Sequence, residues 1–290
     1  MAVTGCSGFL GRYVVEALVE KGHEVIGLDV VEPSMQLTDF RRRDFTSMTD
    51  AVEGLRGASF VCHLGGVGDV YLADKDPALA FRANGFGTKV VCDAALELGI
   101  EGLVYASTWE VYGKPEKSPV DETHPCNPET PYSISKLAGE LLARHANTRG
   151  DLTTTILRLG TAYGPFMRDS TVISRFLSSA VRGNPLVVFG RGTQFRQFTH
   201  ARDIGRAFSR VVTHGRNETT LNIVADEQVT IRALAELVAS QFGVEIEFTD
   251  ERVGEPPSAA ITSAKAHQYL GWEADVTFAE GLRELVDMAR

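Results

Sequence analysis

The sequence has few cysteines, and their spacing fits neither a disulfide framework nor a metal site. The four residues, Cys6, Cys62, Cys92 and Cys126, form no C-x-x-C pair and no Cys/His cluster. This usage is typical of a reduced compartment, and we expect a cytoplasmic protein without a metal. The chain also lacks an apolar run of the roughly 18 residues that a membrane span needs, and its first residues do not resemble a signal peptide.

Basic residues are also outnumbered by acidic ones. The 290-residue chain has 29 lysines and arginines against 38 aspartates and glutamates, which gives a formal net charge of −9. Because an acidic protein is repelled by phosphate backbones, we expect no nucleic-acid partner. The hydrophobic share of 43% is that of an ordinary globular protein with one large domain or two smaller ones.

Short apolar segments alternate with helical segments through the first half of the chain. Strands are expected at 1–5, 23–29, 58–66, 101–108 and 152–160, with helices between them, which predicts a doubly wound α/β fold with a parallel sheet. After Gly164 the pattern is less regular, with helices near 171–182, 201–215 and 230–243 and short strands at 185–190 and 245–250. We therefore predict a Rossmann domain over 1–164, to which 191–224 returns, and a smaller substrate-binding lobe formed by 165–190 and 225–290.

A glycine-rich loop, TGCSGFLG, follows the first predicted strand and opens a helix. Gly5 permits a tight turn, Gly8 lets the backbone approach a pyrophosphate, and Gly11 allows the helix to pack closely. The helix N-terminus offers N–H groups to the phosphates. Three glycines also occur in ordinary turns, but Asp29, about 20 residues further on at a strand end, favours a dinucleotide site.

The same acid selects between the two nicotinamide cofactors. A carboxylate at Asp29 accepts hydrogen bonds from ribose hydroxyls and repels a 2′-phosphate, which favours NAD over NADP. Arg12 and the run Arg41–Arg43 are candidate contacts for a 2′-phosphate, so NADP remains the alternative. Asp44 stands where the third strand should end, and either an adenine contact or a turn cap would explain it.

The segment PYSISKLAGE contains Tyr132 and Lys136, whose spacing of four places them on one face of a helix. A nearby ammonium would lower the pKa of a phenol from its usual value near 10, so that the phenol can exchange a proton with a hydroxyl group. The pattern is common on surface helices. The glycine loop upstream and Thr108 at a strand end favour a catalytic role here.

With these features the whole chain resembles the extended short-chain dehydrogenases/reductases, and specifically the nucleotide-sugar epimerases and dehydratases. The resemblance implies tightly bound, recycled NAD, a nucleotide-diphosphate sugar substrate, and a homodimer formed through the helices near 78–98 and 131–149. We expect the apolar positions on their outward faces to be Ala80, Ala83, Val90 and Leu141. The motifs that carry the resemblance are TGCSGFLG (4–11), HLGG (63–66), NGFGT (84–88), STWEVYG (107–113), YSISK (132–136), LRLGTAYGP (157–165) and GRGTQFRQFTHARDI (190–204).

The resemblance gives each candidate site residue a role. Thr108 would hydrogen-bond the reacting oxygen, Tyr132 would act as base and then acid, and Lys136 would hold the nicotinamide ribose. The substrate-binding set would be Thr108, Trp109, Thr161, Arg196 and Arg252, although each arginine could also be a surface cation. The cofactor-binding set would be Gly5, Ser7, Gly8, Phe9, Leu10, Gly11, Asp29, Asp44, Phe45, Leu64, Gly65, Gly66, Asn84, Ala106, Ser107, Tyr132, Lys136 and Leu159.

The chain departs from the family pattern at a few positions. Thr161 replaces the usual asparagine, Arg191 replaces the aspartate of G-D-G, and Gly65-Gly66 replaces two alanines. The two glycines are expected to leave more room near the nicotinamide.

Glu110 separates the subfamilies that the chain resembles. The 4-epimerases have S-S-A-x-V-Y-G at this strand end, whereas the 4,6-dehydratases have T-D-E, with an aspartate as acid and a glutamate as C5 base. Decarboxylases and GDP-mannose dehydratases have T-S-E and keep the glutamate alone. The Thr-Trp-Glu of this chain also keeps the glutamate, and the indole of Trp109 cannot act as an acid.

Three hypotheses on function follow. The leading one is an epimerase like UDP-glucose 4-epimerase, which works through a 4-keto sugar. The alternative is a Glu110-assisted decarboxylase or dehydratase, like UDP-glucuronate decarboxylase. A non-catalytic NAD-binding regulator, or a reductase of a non-nucleotide alcohol, is the third, although the Tyr132/Lys136 pair argues against loss of catalysis.

Overall fold

The computed structural model describes residues 1–150, 152–214, 219–250 and 258–290. The predicted substrate residue Arg252 lies outside the described residues. In chain order the strands are β1 (Ala2–Thr4), β2 (Ile26–Asp29), β3 (Asp39–Arg42), β4 (Phe60–His63), β5 (Gly102–Thr108), β6 (Thr153–Leu159), β7 (Thr161–Tyr163), β8 (Leu186–Phe189), β9 (Phe195–Arg196), β10 (Phe198–His200), β11 (Thr219–Ile223), β12 (Val229–Thr230) and β13 (Ile246–Thr249).

The helices of the described ranges alternate with these strands in the first half of the chain. They are α1 (Phe9–Glu20), α2 (Met48–Leu55), α3 (Val70–Lys75), α4 (Pro77–Ala80), α5 (Thr88–Glu97), α6 (Pro131–Asn147), α7 (Val172–Val181), α8 (Ala201–His214), α9 (Ile231–Phe242), α10 (Ala264–Leu270) and α11 (Phe278–Ala289). Among the described residues, no helix has the length and apolar character that crossing a membrane requires.

The main sheet is parallel throughout and confirms the predicted doubly wound fold. Within the described residues it has seven strands in the order β11-β6-β5-β4-β1-β2-β3. The strand order reverses between β1 and β4, where Thr4 is paired with His63. In open sheets of this kind, ligands bind outside the carboxyl ends of the strands at such a reversal.

Successive residues of the central strands enter different cores, because side chains of a strand alternate between the two faces of a sheet. Val3 and Cys62 pack with α1 and α8, whereas Ala2 and Val61 pack with α2, α5 and α6. Both faces of the sheet are therefore covered, which explains why its strands are apolar almost throughout.

The second half of the chain has a core of its own, built from α7, β8, α9 and α11. Tyr163 and Phe198 pack into this same cluster although they lie in the part of the chain assigned to the Rossmann domain. Meanwhile β11 joins the edge of the main sheet beside β6, as expected for a segment that returns to it. The exact domain division at residue 164 stays a prediction.

The helix predicted over about 78–98 is interrupted by a π-helical segment at Phe81–Gly87, between α4 and α5. Gly87 lies in this wider turn, and a Cβ on it would come within 2.5 Å of the Phe45 ring. The turn carries Asn84 into the interior, where it is almost fully buried. Such turns are frequent at functional sites.

Candidate active site

The glycine loop begins at the carboxyl end of β1, at the point where the strand order reverses. Gly5 has a φ of +71°, and a Cβ on it would lie 2.7 Å from the backbone nitrogen of Gly65. A Cβ on Gly11 would overlap the carbonyl oxygen of Gly5, so only glycine allows the loop to close onto α1. Gly8 is the N-cap of α1 and no side chain caps the helix. This cradle of backbone N–H groups fits the pyrophosphate of a dinucleotide.

Asp29 lies at the end of β2 and connects it to the glycine loop. Its Oδ2 accepts a hydrogen bond from the backbone nitrogen of Ser7 at 3.1 Å, and its Oδ1 accepts one from that of Val31 at 3.1 Å. Each carboxylate oxygen has further acceptor capacity, so both can still receive ribose hydroxyl groups. The position fits the predicted role of Asp29, and the role stays a prediction.

The arginines considered for a 2′-phosphate are engaged elsewhere. Arg41 forms an ion pair with Asp39 at 2.8 Å and donates to carbonyl groups at the end of α2. Arg43 pairs with Glu53 at 3.1 Å, and the guanidinium of Arg12 stacks 3.8 Å from the centroid of the Phe166 ring. These contacts favour NAD over NADP.

The two glycines after β4 do not leave the open space that the sequence suggested. A Cβ on Gly65 would lie 2.6 Å from the ring of Phe45, and a Cβ on Gly66 would overlap the side-chain oxygen of Asn84. The ring and the amide fill the volume that two alanine methyl groups would occupy. The expectation of extra room beside the nicotinamide is therefore wrong.

Some predicted cofactor residues have side chains that are bound to the protein itself. Asn84 accepts from the backbone nitrogen of Val67 at 2.8 Å and donates to Ser135 Oγ at 2.9 Å. The hydroxyl of Ser107 donates to Glu140 at 3.0 Å, and Asp44 Oδ1 accepts from Thr46 as a turn cap. Their contribution to a cofactor site would be through the backbone or through positioning.

Most of the predicted apolar cofactor residues lie in or against the core cluster next to α1. Ala106 and Leu159 are buried in the core beside α1, and Leu10 and Leu64 pack against it. Phe9 lies edge-on to the ring of Tyr13, with the centroids 5.9 Å apart. Their direct contact with a cofactor stays a prediction.

The catalytic candidates come together where α6 approaches the end of β5. A capping box of Thr130 and Ser133 starts α6 at Pro131, which places Tyr132 in its first turn and Lys136 one turn later. The side chain of Thr108 is close enough to that of Tyr132 to lower its pKa. Thr108 Oγ1 also accepts a hydrogen bond from the backbone nitrogen of Glu110 at 3.3 Å, so Thr108 caps the turn beside the candidate tyrosine.

Burial moves the pKa of both catalytic groups toward the neutral form. The pKa of Tyr132 is raised, first by burial and then by the charge of Glu110, against the hydrogen bond from Thr108. The pKa of Lys136 is lowered to about 7 by burial, although Glu140 opposes the change. The ammonium lies 4.6 Å from the centroid of the Tyr105 ring. The expected lowering of the Tyr132 pKa is therefore wrong, because burial outweighs the neighbouring charges.

Glu110 follows β5 in a 3₁₀ turn, Trp109–Tyr112, and faces a cavity of about 520 Å³. Burial raises the pKa of its carboxyl to about 7, opposed by Arg196 and Arg168 and assisted by Asp74. A carboxyl with a pKa near neutrality can both accept and donate a proton.

The cavity wall brings together most of the predicted substrate residues. Trp109, Thr161 and Arg196 line it, and the Trp109 indole also packs against the cluster formed by Tyr112, Val120, Val224 and Ile261. Arg196 also lines a second cavity of about 640 Å³, whose walls include residues of α7 and β8. Arg196 is therefore shared by the two cavities.

Residues that the sequence did not single out also face this site. Asp74, Glu129 and Met167 line the cavity, and Arg168 is 3.7 Å from Asp69. Asp69 is the N-cap of α3, and its side chain accepts hydrogen bonds from the backbone nitrogens of Tyr71 and Leu72. Within the described residues, no cluster of histidine, cysteine or acidic side chains could hold a metal ion.

Comparison with known proteins agrees with this geometry. The family model described as "NAD dependent epimerase/dehydratase family" matches residues 1–224. A putative UDP-glucose 4-epimerase of Methanocaldococcus jannaschii is 28% identical over 98% of this chain and 96% of its own length. A dTDP-glucose 4,6-dehydratase of Streptomyces antibioticus is 29% identical over 100% of this chain and 92% of its own.

Solved structures show the same similarity over the whole fold. MoeE5 in complex with UDP-glucose and NAD superposes with a TM-score of 0.91 and 30% identity, over 99% of this chain and 97% of its own. The chain therefore belongs to the NAD-dependent epimerase/dehydratase family, which confirms both the NAD cofactor and the extended short-chain dehydrogenase/reductase assignment predicted from its sequence.

Proposed function

We propose that this protein is an NAD-dependent nucleotide-sugar epimerase that acts through a 4-keto sugar. The observation that carries the proposal is the set formed by Thr108, Tyr132 and Lys136. The side chain of Thr108 lies beside that of Tyr132, Lys136 follows one helical turn later, and a cavity large enough for a sugar lies alongside. This is the arrangement needed to move a proton on and off a substrate hydroxyl.

Each residue of the set has a separate task. Tyr132 would remove the proton of the sugar hydroxyl as the carbon is oxidised, and would return it when the ketone is reduced on its other face. Thr108 would hold the reacting oxygen beside Tyr132. The hydride acceptor and donor of this chemistry is NAD, whose oxidised ring also carries a positive charge. Lys136 would hold the nicotinamide ribose and compensate negative charge on the phenolate.

The nucleotide end of the substrate would be bound at Arg196. A guanidinium group matches the geometry of phosphate oxygens, and this residue lies between the sugar-sized cavity and the second cavity. Asp74, Glu110 and Glu129 line the first cavity, so a phosphate is better placed at its arginine edge. MoeE5, which was solved with UDP-glucose, supports a uridine nucleotide as the first to test.

The test is a direct conversion assay. The purified protein is incubated with UDP-, dTDP- and GDP-linked hexoses, and the sugar protons are followed by NMR. We expect inversion at C4 of one of them, and none with Tyr132→Phe, which retains the ring but has no proton to exchange. Absence of any change in the sugars or in bound NAD with the wild-type protein would refute the proposal. Titration with free UDP, dTDP and GDP then identifies the nucleotide.

A second candidate function is supported by Glu110. Its carboxyl faces the cavity, and its pKa of about 7 suits a base that removes the C5 proton of a 4-keto sugar. Removal of that proton leads to elimination. In a decarboxylase the C5–C6 bond of the 4-keto acid breaks instead, carbon dioxide leaves, and the protonated form of Glu110 would return a proton to C5. Trp109 occupies the position where an ordinary 4,6-dehydratase has its acid, so a decarboxylase is the better form of this candidate.

Glu110→Gln separates the two candidates. An epimerase should keep most of its turnover, because Tyr132 alone handles the proton. A decarboxylase or dehydratase should lose about 10²-fold or more in kcat while still binding NAD. Glu129→Gln, on the same cavity wall, is the matched control. Release of carbon dioxide from UDP-glucuronate by the wild-type protein would favour the second candidate outright.

We also propose a cytoplasmic homodimer that forms through the π segment and α6. Phe86, Ile134 and Leu141 are exposed on these helices, whereas the predicted outward positions Ala80 and Val90 are buried in the subunit. The apolar contact surface therefore shares Leu141 with the predicted one, but not Ala80 or Val90. Leu141→Arg should lower the mass measured by light scattering to that of a monomer, and Leu237→Arg, equally apolar and exposed on α9, should not.

A further inference from the structure

Glu140 is a fully buried carboxylate without a role in the proposed reaction. Its Oε2 accepts from Ser107 Oγ at 3.0 Å and from Arg158 Nε at 3.1 Å. Its Oε1 accepts from Arg158 Nη2 at 2.6 Å and from Arg144 Nη2 at 2.5 Å. Burying a charge is costly unless it is paired and hydrogen-bonded, as it is here. The sequence motifs pointed to neither Glu140 nor Arg158 as a site residue.

The Glu140 carboxylate connects three elements whose relative positions set the geometry of the catalytic set. Ser107 is in β5 directly before Thr108, Arg158 is in β6, and Glu140 is in α6 one turn after Lys136. Arg158 also lies 4.7 Å from the ring centroid of Tyr112, in the turn that holds Glu110. Glu140 thus lies on α6, which carries Tyr132 and Lys136, and bonds to β5, which carries Thr108.

The surroundings of Lys136 contain few other charges. From β4, the ring of His63 is fully buried, and burial followed by the charge of Lys136 lowers its pKa to about 3, so it is neutral. From β5, the ring of Tyr105 lies against the ammonium. On α6, Glu140 is the anion that raises the pKa of Lys136 against burial, and Tyr132 is the other titratable group. Residues four apart on a helix are neighbours, so Glu140 is close enough to act.

We propose that Glu140 is a positioning residue of the catalytic set. Through Ser107 it holds the end of β5, and with it Thr108, against α6, and its negative charge keeps the ammonium of Lys136 protonated. Arg158 and Arg144 form ion pairs with the carboxylate in the interior. The inference rests on the proposed function only where turnover is measured.

The first experiment measures Lys136 directly in the NAD-loaded enzyme. Lysine side chains labelled with ¹⁵N are titrated by NMR, and Lys136→Met identifies the resonance. In Glu140→Gln the titration midpoint of Lys136 should fall by about one pH unit, because a charge one turn away is lost. An unchanged midpoint would overturn the role of the charge. This measurement needs no substrate, so its outcome does not depend on whether the protein is an epimerase.

The second experiment separates a positioning role from a merely structural one. Asp203→Asn removes another fully buried carboxylate, which pairs with Arg206 on α8. It should lower the melting temperature as Glu140→Gln does, but leave the pH profile of kcat and the Lys136 midpoint unchanged. In Glu140→Gln the alkaline limb of the kcat profile should move to lower pH together with Lys136. A profile like that of Asp203→Asn would show that Glu140 is structural only.

Ser107→Ala tests the geometric half of the proposal and is a variant that keeps the buried charges. It removes the hydrogen bond between β5 and α6, and should lower kcat about tenfold with the KM and the Lys136 midpoint unchanged. Wild-type kcat in Ser107→Ala would overturn the positioning of Thr108 through this contact, even if Glu140→Gln proved unable to fold.

Discussion

Replacing Glu110 by glutamine should stabilise the protein more as the pH rises. In the folded state the carboxyl has a pKa of about 7, raised by burial from an ordinary value of 4.5. The folded protein therefore binds this proton more tightly than the unfolded chain does. The protonated carboxyl of Glu110 contributes to the free energy of unfolding. This contribution is fully present below the pKa of the unfolded chain and is lost as the pH rises toward 7. At about 1.4 kcal/mol for each pH unit, the loss is about 3 kcal/mol.

The glutamine variant cannot lose a proton and should not show this loss. Near pH 5 the two proteins should unfold at similar temperatures, whereas near pH 8 the variant should melt about 6 °C higher, at about 2 °C per kcal/mol for a chain of this size. Thermal unfolding is measured with NAD at one saturating concentration, because ligand binding also stabilises. The exposed Glu129, replaced by glutamine, is the control. Parallel pH curves for wild type and Glu110→Gln would refute the reasoning.

Three further predictions follow from the site. Tyr132→Phe should lower kcat by about 10²- to 10⁴-fold and leave the Kd for NAD unchanged, as measured by sugar NMR and calorimetry. Asp29→Asn weakens the acceptor for the ribose and removes the charge that repels a 2′-phosphate, so the preference for NAD over NADP should fall about tenfold in cofactor titrations. Gly65→Ala places a methyl group 2.6 Å from the Phe45 ring and should cost about 1–3 kcal/mol in urea unfolding. Adding Phe45→Leu should recover part of this loss.

The elements that the sequence predicted well are those defined by local chemistry. The glycine loop needs three glycines within seven residues, and Tyr132 and Lys136 need only a helix to bring them together. The parallel sheet follows from apolar strands alternating with helices. In the loop and in the Tyr132/Lys136 pair, the neighbours in space are also neighbours along the chain, so their spacing contains the information. The sheet was predicted from the alternation of its elements, and not from the pairing of its strands.

Contacts between distant parts of the chain could not be predicted in this way. Phe45 fills the space beside Gly65, and Glu140 accepts a hydrogen bond from Ser107, which lies 33 residues away in the sequence. Asn84 of the π segment likewise bonds the backbone of Val67, which lies 17 residues away in the sequence. Such pairings follow from packing of the folded chain, and a single sequence does not record them.

The balance between charged and neutral forms in the site, set by its pKa shifts, was the other feature that could not be predicted from the sequence. A lysine beside a tyrosine suggested a lowered tyrosine pKa, but burial acts on every group at once. It raises the pKa of Tyr132, lowers that of Lys136 to about 7 and raises that of Glu110 to about 7, in each case toward the neutral form. The direction of a pKa shift therefore depends on depth in the fold as much as on spacing.

This balance also bears on the choice between the two candidate reactions. An epimerase needs one residue that exchanges a proton with the hydroxyl group on C4, and in the proposed reaction Tyr132 beside Thr108 meets that need by itself. Elimination needs a second base whose pKa lies near the working pH, and burial gives Glu110 this property. If Glu110 had no role in the reaction, its burial would lower the stability of the protein near pH 8 without any gain in activity. A variant that gains stability at that pH but loses turnover would show that the buried carboxyl is kept for chemistry, whereas a gain in stability with full turnover would leave Tyr132 as the single proton carrier.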